Sequence, residues 1–337
     1  MLSAWAHRLC VRAVDVLFGT FLYVPLGILF LKKSLGGFGD GDWDSSQIPD
    51  LHGKVAVVTG GNSHAVWTYG SSAGIGYHTV RQLAGKGAKV YLAARSESRA
   101  KEAIKRLREE NPDIPQENLV WLPLDLSSQA QVVDAARDLI HIGHWTLTYC
   151  LLPLLKATAA QQGSDVRVIT LSSSGERNNS ANNHFTTLKD LDDPCAGPGW
   201  EDSCLAQGKR YGTSKLANIL FATELQRRMD EEGAGIVSLS LNPGTIRTEG
   251  AADVMPVVVR PLVWLLFTDA AKGADTTMFA ATAREVRENS EQWKGRYLDG
   301  PGRVKVPSPK ARDAVAARNL WNITAAAVKG TGALENL

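Results

Sequence analysis

Short apolar runs alternate with amphipathic stretches along most of the chain after residue 53. The runs are six or seven residues long and end at turn residues, which is typical of strands buried in a parallel sheet. The stretches between them repeat apolar residues at helical spacing. The predicted strands are 54–60, 89–94, 119–124, 166–171 and 235–241, and the predicted helices are 75–86, 98–110, one from about 128, and 205–229.

Strands that alternate with helices predict an α/β fold with one doubly wound parallel sheet covered on both faces. We expect a single domain over residues 53–337, because a chain of 337 residues suits one large α/β domain with an appended segment. Ligands of such sheets bind beyond the carboxyl ends of the strands. The residues at those ends are therefore the candidates for function.

The N-terminal region carries an apolar stretch of a different kind. Residues 13–31 hold one charged residue, Asp15, and basic residues flank the stretch on both sides. About 20 apolar residues are needed to span a bilayer, so this stretch is just long enough. We predict a membrane anchor over residues 1–35 and a linker rich in Gly and Asp over 36–52. A cleaved signal peptide and a buried helix are the alternatives, and the flanking charges leave the orientation open.

The overall composition is that of an ordinary globular protein, with 44% apolar and 21% charged residues. It excludes a collagen-like, coiled-coil or wholly disordered chain. The net charge of +2 demands no large cationic face, so we expect a small-molecule substrate and no nucleic-acid partner. The four cysteines form no C-x-x-C pair, which favours free thiols in a reducing compartment.

Glycines surround the first predicted strand-to-helix turn. Gly60 and Gly61 follow the strand, and Gly74, Ile75 and Gly76 open the helix. Glycines at such a turn let the backbone approach a pyrophosphate, whose charge meets the amides of the helix N-terminus. A flexible turn without a ligand explains the same residues, so the glycines alone are a weak signal.

The ends of the next two predicted strands favour a dinucleotide. A carboxylate after the second strand would bind the ribose 2′-hydroxyl of NAD, but Arg95 stands there and can pair with the 2′-phosphate of NADP. A solvated arginine is the alternative. Asp125, after the third strand, is placed to accept from an adenine amino group or to cap the next helix. We therefore predict NADP as the cofactor.

The strongest constellation joins serines at a strand end to a tyrosine and a lysine on a later helix. Ser173 lies in a run of three serines after the strand 166–171, and Tyr211 and Lys215 are four residues apart. This spacing places both side chains on one helical face. An ammonium beside a phenol favours the phenolate, which makes Tyr211 a usable general acid or base for a carbonyl and its alcohol. A serine hydroxyl within reach would hold the reacting oxygen.

Taken in this order, the motifs resemble those of the short-chain dehydrogenase/reductase family, particularly its membrane-anchored retinol-dehydrogenase-like and fungal branch. The resemblance extends from about residue 53 to about residue 298 and rests on TGGNS, GIG, AAR, VITLSS, YGTSK and LNPGTIRT. It implies a Rossmann-type fold. It also implies hydride transfer between NADP(H) and a carbonyl or secondary alcohol of a small hydrophobic substrate.

The resemblance also assigns roles to single residues. Ser173 positions the substrate oxygen, Tyr211 transfers the proton, and Lys215 binds the nicotinamide ribose and favours the phenolate. Ile246 and Thr248 close over the carboxamide end of the cofactor. The implied cofactor-binding residues are Gly60, Gly74, Ile75, Gly76, Arg95, Asp125, Tyr211, Lys215, Ile246 and Thr248.

The chain departs from the family pattern in two places. Ten residues, His64 to Ala73, stand between TGGNS and GIG, and their removal restores an uninterrupted glycine motif. Near 138–142 the family's fourth strand, which ends in N-N-A-G, is absent, and Ile140 occupies the position of the catalytic asparagine. Roughly 40 residues of the usual unit are missing, whereas a βαβ crossover needs about a dozen. The first strand would then lose a hydrogen-bonding neighbour.

Three functional hypotheses stay open. The first is an NADP-dependent oxidoreductase, inactive as written if a splicing or gene-model fault altered the sequence. The second is a non-catalytic dinucleotide-binding or scaffold protein of the same ancestry. The third is a purely membrane-anchored interaction protein, favoured only if no cofactor stabilises the chain on heating. We expect attachment to the endoplasmic reticulum or lipid-droplet surface, as a single-pass or monotopic protein with a cytosolic catalytic domain. A homodimer is compatible with this interpretation.

Overall fold

The computed structural model describes residues 43–60, 74–124, 140–180, 183–244 and 270–330. The strands are β1 (Val55–Thr59), β2 (Lys89–Ala94), β3 (Leu119–Pro123), β4 (Val166–Leu171), β5 (Ile236–Asn242) and β6 (Tyr297–Asp299). The helices are α1 (Ile75–Gly85), α2 (Glu97–Glu110), α3 (Ile140–Ala159), α4 (Cys204–Glu231), α5 (Ala270–Thr282), α6 (Arg284–Glu288), α7 (Ser290–Trp293) and α8 (Ala314–Lys329). The predicted strands, and the predicted helices with described bounds, are confirmed to within two residues.

Several predicted features fall outside the described residues. They are the anchor over 1–35, residues 36–42 of the linker, the predicted helix start near 128, the insertion 64–73, and the site residues Asp125, Ile246 and Thr248. Within the part of the chain that the structure describes, no helix combines the length and apolar character needed to cross a bilayer.

The first half of the chain forms a parallel sheet in the order β1-β2-β3. Val57 pairs with Tyr91, which pairs in turn with Val120, so the three strands lie in register. Helices α1 and α2 pack on this sheet through one buried apolar cluster that includes Leu92. The N-cap Ser96 begins α2, because its hydroxyl accepts a hydrogen bond from the Arg99 N–H at 3.4 Å.

The second half forms another parallel sheet, in the order β4-β5-β6. All seven residues of β5 are buried, because helices pack on the sheet that contains it. Aromatic side chains join the helices around α4. The Phe221 ring stacks on Trp321 of α8 with centroids 6.0 Å apart, and Trp145 of α3 meets the same indole edge-on at 5.3 Å. Together these contacts fix the helix that carries Tyr211 and Lys215.

The described residues do not form a single sheet, and the expected loss of a hydrogen-bonding neighbour at β1 is confirmed for them. They form two three-stranded parallel sheets, and β1 and β4 each pair on one side only. On one face of β1, Val55 is 65% exposed and Val57 is 42% exposed. The two sheets are separate because no described strand lies between β1 and β4. The parallel, helix-covered architecture of each half nevertheless confirms the Rossmann-type class.

The two halves still touch each other through side chains. Met278 of α5 belongs to the buried cluster of the first sheet. Trp43 packs edge-on against Phe279 of α5, with ring centroids 5.7 Å apart. At the carboxyl end of β1, the Thr59 hydroxyl lies 3.1 Å from Nε2 of His144 in α3. These contacts bring the carboxyl ends of β1 and β4 to the same side of the molecule.

Candidate active site

The carboxyl end of β4 is tied directly to α4. The Ser172 N–H donates to the Leu241 carbonyl at 2.6 Å, which extends the pairing with β5. The Ser172 hydroxyl donates to the Lys215 carbonyl at 2.7 Å, and the Asn218 amide donates to the Leu171 carbonyl at 2.9 Å. Ser172 is 3% exposed, so it is a buried structural link and leaves Ser173 as the serine of the site.

Ser173 lies where the chain turns from β4 into a 3₁₀ turn, Ser174–Arg177. Its backbone is extended, and its hydroxyl oxygen accepts a hydrogen bond from the Gly175 N–H at 3.1 Å. This bond uses the oxygen as an acceptor, so the hydroxyl proton stays available to donate to a substrate oxygen. The turn therefore fixes the position of Ser173, and the hydrogen bond from Gly175 does not use its hydroxyl proton.

Tyr211 and Lys215 lie on one face of α4, next to that turn. The Lys215 ammonium nitrogen is 5.5 Å from the centre of the Tyr211 ring. A methyl group placed on Gly175 would lie 3.0 Å from Cε1 of Tyr211 and 3.4 Å from the Ser173 hydroxyl oxygen. Ser173 and Tyr211 therefore both border Gly175, and Lys215 lies beside the Tyr211 ring. Tyr211 is 51% exposed, so its phenol can be reached from solvent.

Burial lowers the pKa of the Lys215 ammonium below its usual value. The cause is desolvation, because a buried cation loses its hydration. A developing negative charge on the neighbouring phenol would offset that cost.

Gly212 is a site residue that sequence reasoning missed. A Cβ atom there would lie 1.9 Å from the Asn178 carbonyl oxygen and 2.7 Å from the Gly175 carbonyl oxygen. These are backbone atoms, so no side-chain movement would relieve the contact. Gly212 thus lets α4 approach the Ser173 turn closely. Its position inside YGTSK was the only signal available in the sequence.

Sequence reasoning also missed a buried carboxylate within this turn, that of Glu176. Glu176 is 1% exposed, and its Oε1 atom accepts a hydrogen bond from the Ser308 N–H at 3.0 Å. Burial raises the pKa of Tyr297 above its usual value, and the carboxylates of Asp299 and Glu176 raise it further. The hydrogen bond from Ser308 to Glu176 therefore links the segment before α8 to the turn that follows Ser173.

The predicted dinucleotide residues that are described lie at the carboxyl ends of β1 and β2. Gly60 has a φ of +70°, a backbone conformation that favours glycine. Gly74 is the N-cap of α1 and provides no side-chain cap, so Ile75 and Gly76 follow with amides that a phosphate could use. Arg95 is exposed directly after β2. The chemistry of these residues fits a dinucleotide: free amides at the start of α1 suit phosphates, and an exposed guanidinium suits an anionic group.

Comparison with known proteins identifies relatives of the chain. The family model for short chain dehydrogenases matches residues 54–144. The short chain dehydrogenase/reductase dpchH of Colletotrichum higginsianum is 85% identical to this chain, over 100% of the chain and 90% of the relative. The chain therefore belongs to the short-chain dehydrogenase/reductase family, whose members are oxidoreductases that bind a nicotinamide dinucleotide and act on small molecules.

Two further comparisons cover most of the chain. The short chain dehydrogenase/reductase dpfgH of Gibberella zeae is 64% identical over 100% of both chains. The crystal structure of an uncharacterised protein from Mycobacterium paratuberculosis superposes with a TM-score of 0.58, at 24% identity, over 85% of this chain and 97% of that one. This structural likeness shows the fold.

The lengths of the two sequence alignments differ from the length of this chain. The alignment with dpchH has 371 positions against 337 residues, and that with dpfgH has 359. The relatives thus carry about 34 and about 22 positions for which this chain has no residue.

Proposed function

We propose that this protein is an NADP-dependent oxidoreductase that transfers a hydride between NADP(H) and a carbonyl or secondary alcohol of a small, hydrophobic substrate. The observation that carries the proposal is the grouping at the carboxyl end of β4, where Ser173 and Tyr211 border Gly175 and the Lys215 ammonium lies 5.5 Å from the centre of the Tyr211 ring. This grouping supplies a hydroxyl donor, a proton-transferring phenol and a neighbouring ammonium.

Each side chain has one task in this mechanism. The Ser173 hydroxyl donates a hydrogen bond to the substrate oxygen and holds it beside Tyr211. In the direction of reduction, the Tyr211 phenol gives its proton to that oxygen, and the Lys215 ammonium stabilises the phenolate that is left. In oxidation the phenolate takes the proton back. A bound nicotinamide dinucleotide would supply or accept the hydride.

Replacement of Tyr211 by phenylalanine tests the assigned proton donor. Tyr211→Phe should lower kcat by about 10²–10⁴-fold, because a positioned acid or base contributes that much. The fold should persist, since the half-exposed ring is retained. NADPH oxidation with a panel of hydrophobic carbonyl compounds measures the rate, and Tyr91→Phe in β2 is the matched control. Undiminished turnover by the Tyr211 variant would remove the phenol from the mechanism.

Arg95 supports the choice of NADP over NAD. An exposed guanidinium at the end of β2 can bind a 2′-phosphate through paired hydrogen bonds. Arg95→Asp should weaken NADPH binding and improve NADH binding, because the carboxylate repels the phosphate and can accept from a 2′-hydroxyl. Fluorescence titration with both cofactors measures the change. Equal loss for the two cofactors would argue against a 2′-phosphate contact.

The second candidate is a non-catalytic dinucleotide-binding or scaffold protein. The two separate sheets and the ten inserted residues favour it. It predicts stabilisation by NADPH without turnover. Ligand at 100 times its dissociation constant adds about 2.7 kcal/mol to the free energy of unfolding. Transcripts read across codons 63–74 and 138–142 would show whether the cell makes this sequence or a longer one.

Attachment to a membrane is also part of the proposal. The apolar stretch 13–31 supports an anchor within residues 1–35, on the endoplasmic reticulum or lipid droplets, with the site in the cytosol. Removal of residues 1–35 should release a tagged protein from the membrane fraction, and the full chain should stay with it. Sedimentation of the released protein would measure whether it forms the expected homodimer.

A further inference from the structure

The segment between β6 and α8 is bonded to the 3₁₀ turn that contains Glu176. The Arg177 guanidinium donates to the Val306 carbonyl at 3.1 Å, and the Ser308 N–H donates to Oε1 of Glu176 at 3.0 Å. The Arg177 side chain is 54% exposed, whereas that of Glu176 is 1% exposed. Glu176 therefore makes its contact with the segment out of reach of solvent.

The backbone of the turn connects Glu176 to the proposed catalytic serine. The Glu176 N–H donates to the Ser173 carbonyl at 3.1 Å, and the Gly175 N–H donates to the Ser173 hydroxyl oxygen at 3.1 Å. The Asn178 N–H closes the turn by donating to the Gly175 carbonyl at 2.9 Å. A displacement of Glu176 would therefore move both the backbone and the hydroxyl of Ser173.

Two buried polar atoms close to this turn lack a hydrogen-bond partner among the described residues. They are Oε2 of Glu176 and the hydroxyl oxygen of Tyr297 in β6. Tyr297 is 4% exposed and packs in one buried cluster with Leu216 and Leu220 of α4, the helix that carries Tyr211. Each unpaired atom costs free energy, because it has lost its hydration without a replacement.

The two unpaired atoms are complementary. An ionised carboxylate oxygen only accepts hydrogen bonds, whereas a phenol can donate its proton. Burial raises the pKa of Tyr297, and the charges of Asp299, Glu176 and Tyr211 raise it further, so the Tyr297 hydroxyl keeps its proton and these groups lie within electrostatic range of it. One hydrogen bond from Tyr297 to Glu176 would pair both atoms.

The other carboxylate that acts on Tyr297 is already engaged. One oxygen of Asp299 accepts a hydrogen bond from the Asn242 amide at 2.6 Å, and the other forms an ion pair with the Lys305 ammonium. Glu176 uses only Oε1 for its hydrogen bond from Ser308. Glu176 is therefore the carboxylate that can accept the Tyr297 hydroxyl without giving up a contact.

We propose that Glu176 is a positioning residue for the reaction: one oxygen holds the Ser173 turn to the segment before α8, and the other accepts the Tyr297 hydroxyl in the complex that reacts. A substrate oxygen that draws Ser173 toward Tyr211 shifts Glu176 with it, and the pairing with Tyr297 stabilises that shift. The proposal rests on the proposed hydride transfer, since the position that matters is that of the Ser173 hydroxyl.

Two replacements of Glu176 test its role in the reaction. Glu176→Leu removes both contacts, whereas Glu176→Gln keeps an oxygen for the Ser308 N–H and gains an amide donor that can meet the Tyr297 oxygen. We expect Glu176→Leu to lower kcat at least about tenfold with the KM for NADPH unchanged, because a displaced positioning group slows the chemical step. Glu176→Gln should recover most of the rate.

Glu224 provides the matched control, because its side chain is also 1% exposed but pairs with Arg227 within α4. Glu224→Leu should keep the kcat of the parent even if its stability falls. A kcat in Glu176→Leu equal to that of the parent, or a rate in Glu176→Gln as low as that of Glu176→Leu, would overturn the proposal.

Tyr297→Phe separates positioning from stability. The hydroxyl that it removes is unpaired in the structure, so the free energy of unfolding in urea should stay the same or increase. The kcat should nevertheless fall at least about tenfold. When Glu176→Leu is added, kcat should fall no further than in Glu176→Leu alone. An undiminished kcat in Tyr297→Phe, or additive losses in the double variant, would contradict the pairing, and Tyr297→Phe still decides if Glu176→Leu does not fold.

Hydrogen exchange distinguishes failure of this proposal from failure of the proposed function. The Gly175 and Asn178 amides should exchange about two- to tenfold faster in Glu176→Leu than in the parent and in Glu176→Gln. If the parent shows no NADPH-dependent turnover, the proposed function fails, and faster exchange in Glu176→Leu still supports the hold of Glu176 on the turn. Equal exchange in all three chains overturns that hold, whatever the activity.

Discussion

Replacement of Gly212 by alanine is the sharpest test of how the site is packed. The added methyl carbon would lie 1.9 Å from the Asn178 carbonyl oxygen and 2.5 Å from its carbon. Because both atoms belong to the backbone, α4 and the Ser173 turn must separate. Overpacking of this kind costs about 1–3 kcal/mol, or more when the backbone must move. The same change favours the helix by about 1 kcal/mol, because alanine is the better helix former.

Gly208 provides the matched control, one turn earlier in the same helix. A methyl group there would meet the Asn178 side-chain nitrogen at 3.2 Å, and that side chain can move. The helix-propensity gain is common to both variants, so their difference isolates the cost of overpacking. We expect Gly208→Ala to be more stable than Gly212→Ala by about 1–3 kcal/mol in urea unfolding. Equal stabilities would refute the close approach of α4 to the turn.

Two further predictions concern stability away from the site. Arg167 is almost fully buried and donates to the Asp165 carboxylate, to the Ala280 carbonyl in α5 and to the Ala283 carbonyl just after it, so Arg167→Met should cost about 3 kcal/mol or more in urea unfolding. The exposed Arg99→Met is its control, and a similar small loss in both would contradict the assigned contacts. Burial raises the pKa of Asp275 from 3.8 to about 6. The folded state therefore holds the proton more tightly, and this contribution to stability is lost as pH rises from about 4 to about 6. Asp275→Asn lacks this loss, so its stability relative to the parent should increase over that interval, and a constant difference would contradict the shift.

Most of the elements, and the proximity of the candidate catalytic side chains, could be predicted from the sequence. β2 and β4 are short apolar runs whose limits coincide with turn residues, so local pattern alone located them. Tyr211 and Lys215 could be placed on one face because helical spacing is fixed by backbone geometry. The pairing of these residues with Ser173 followed from the order of the motifs along the chain.

The remaining features depend on distant parts of the chain. Strand β6 has only three residues and no distinct alternation, and it forms because β5 offers it an edge. The need for glycine at 212 arises from the Asn178 carbonyl, which lies 34 residues earlier. The burial of Glu176 depends on Ser308. No local pattern carries such information, because each feature is created by packing between segments.

The buried cluster of the first sheet has a consequence for synthesis of the protein. Apart from Met278, all its fully buried members lie between Ile48 and Leu119. This β-α-β-α-β unit can therefore close its core on the ribosome before β4 has been made, since domains fold from the N-terminus during translation. The edge of β1 is then presented to neighbouring nascent chains for the rest of elongation. A chaperone that shields extended apolar segments would be needed most during that interval.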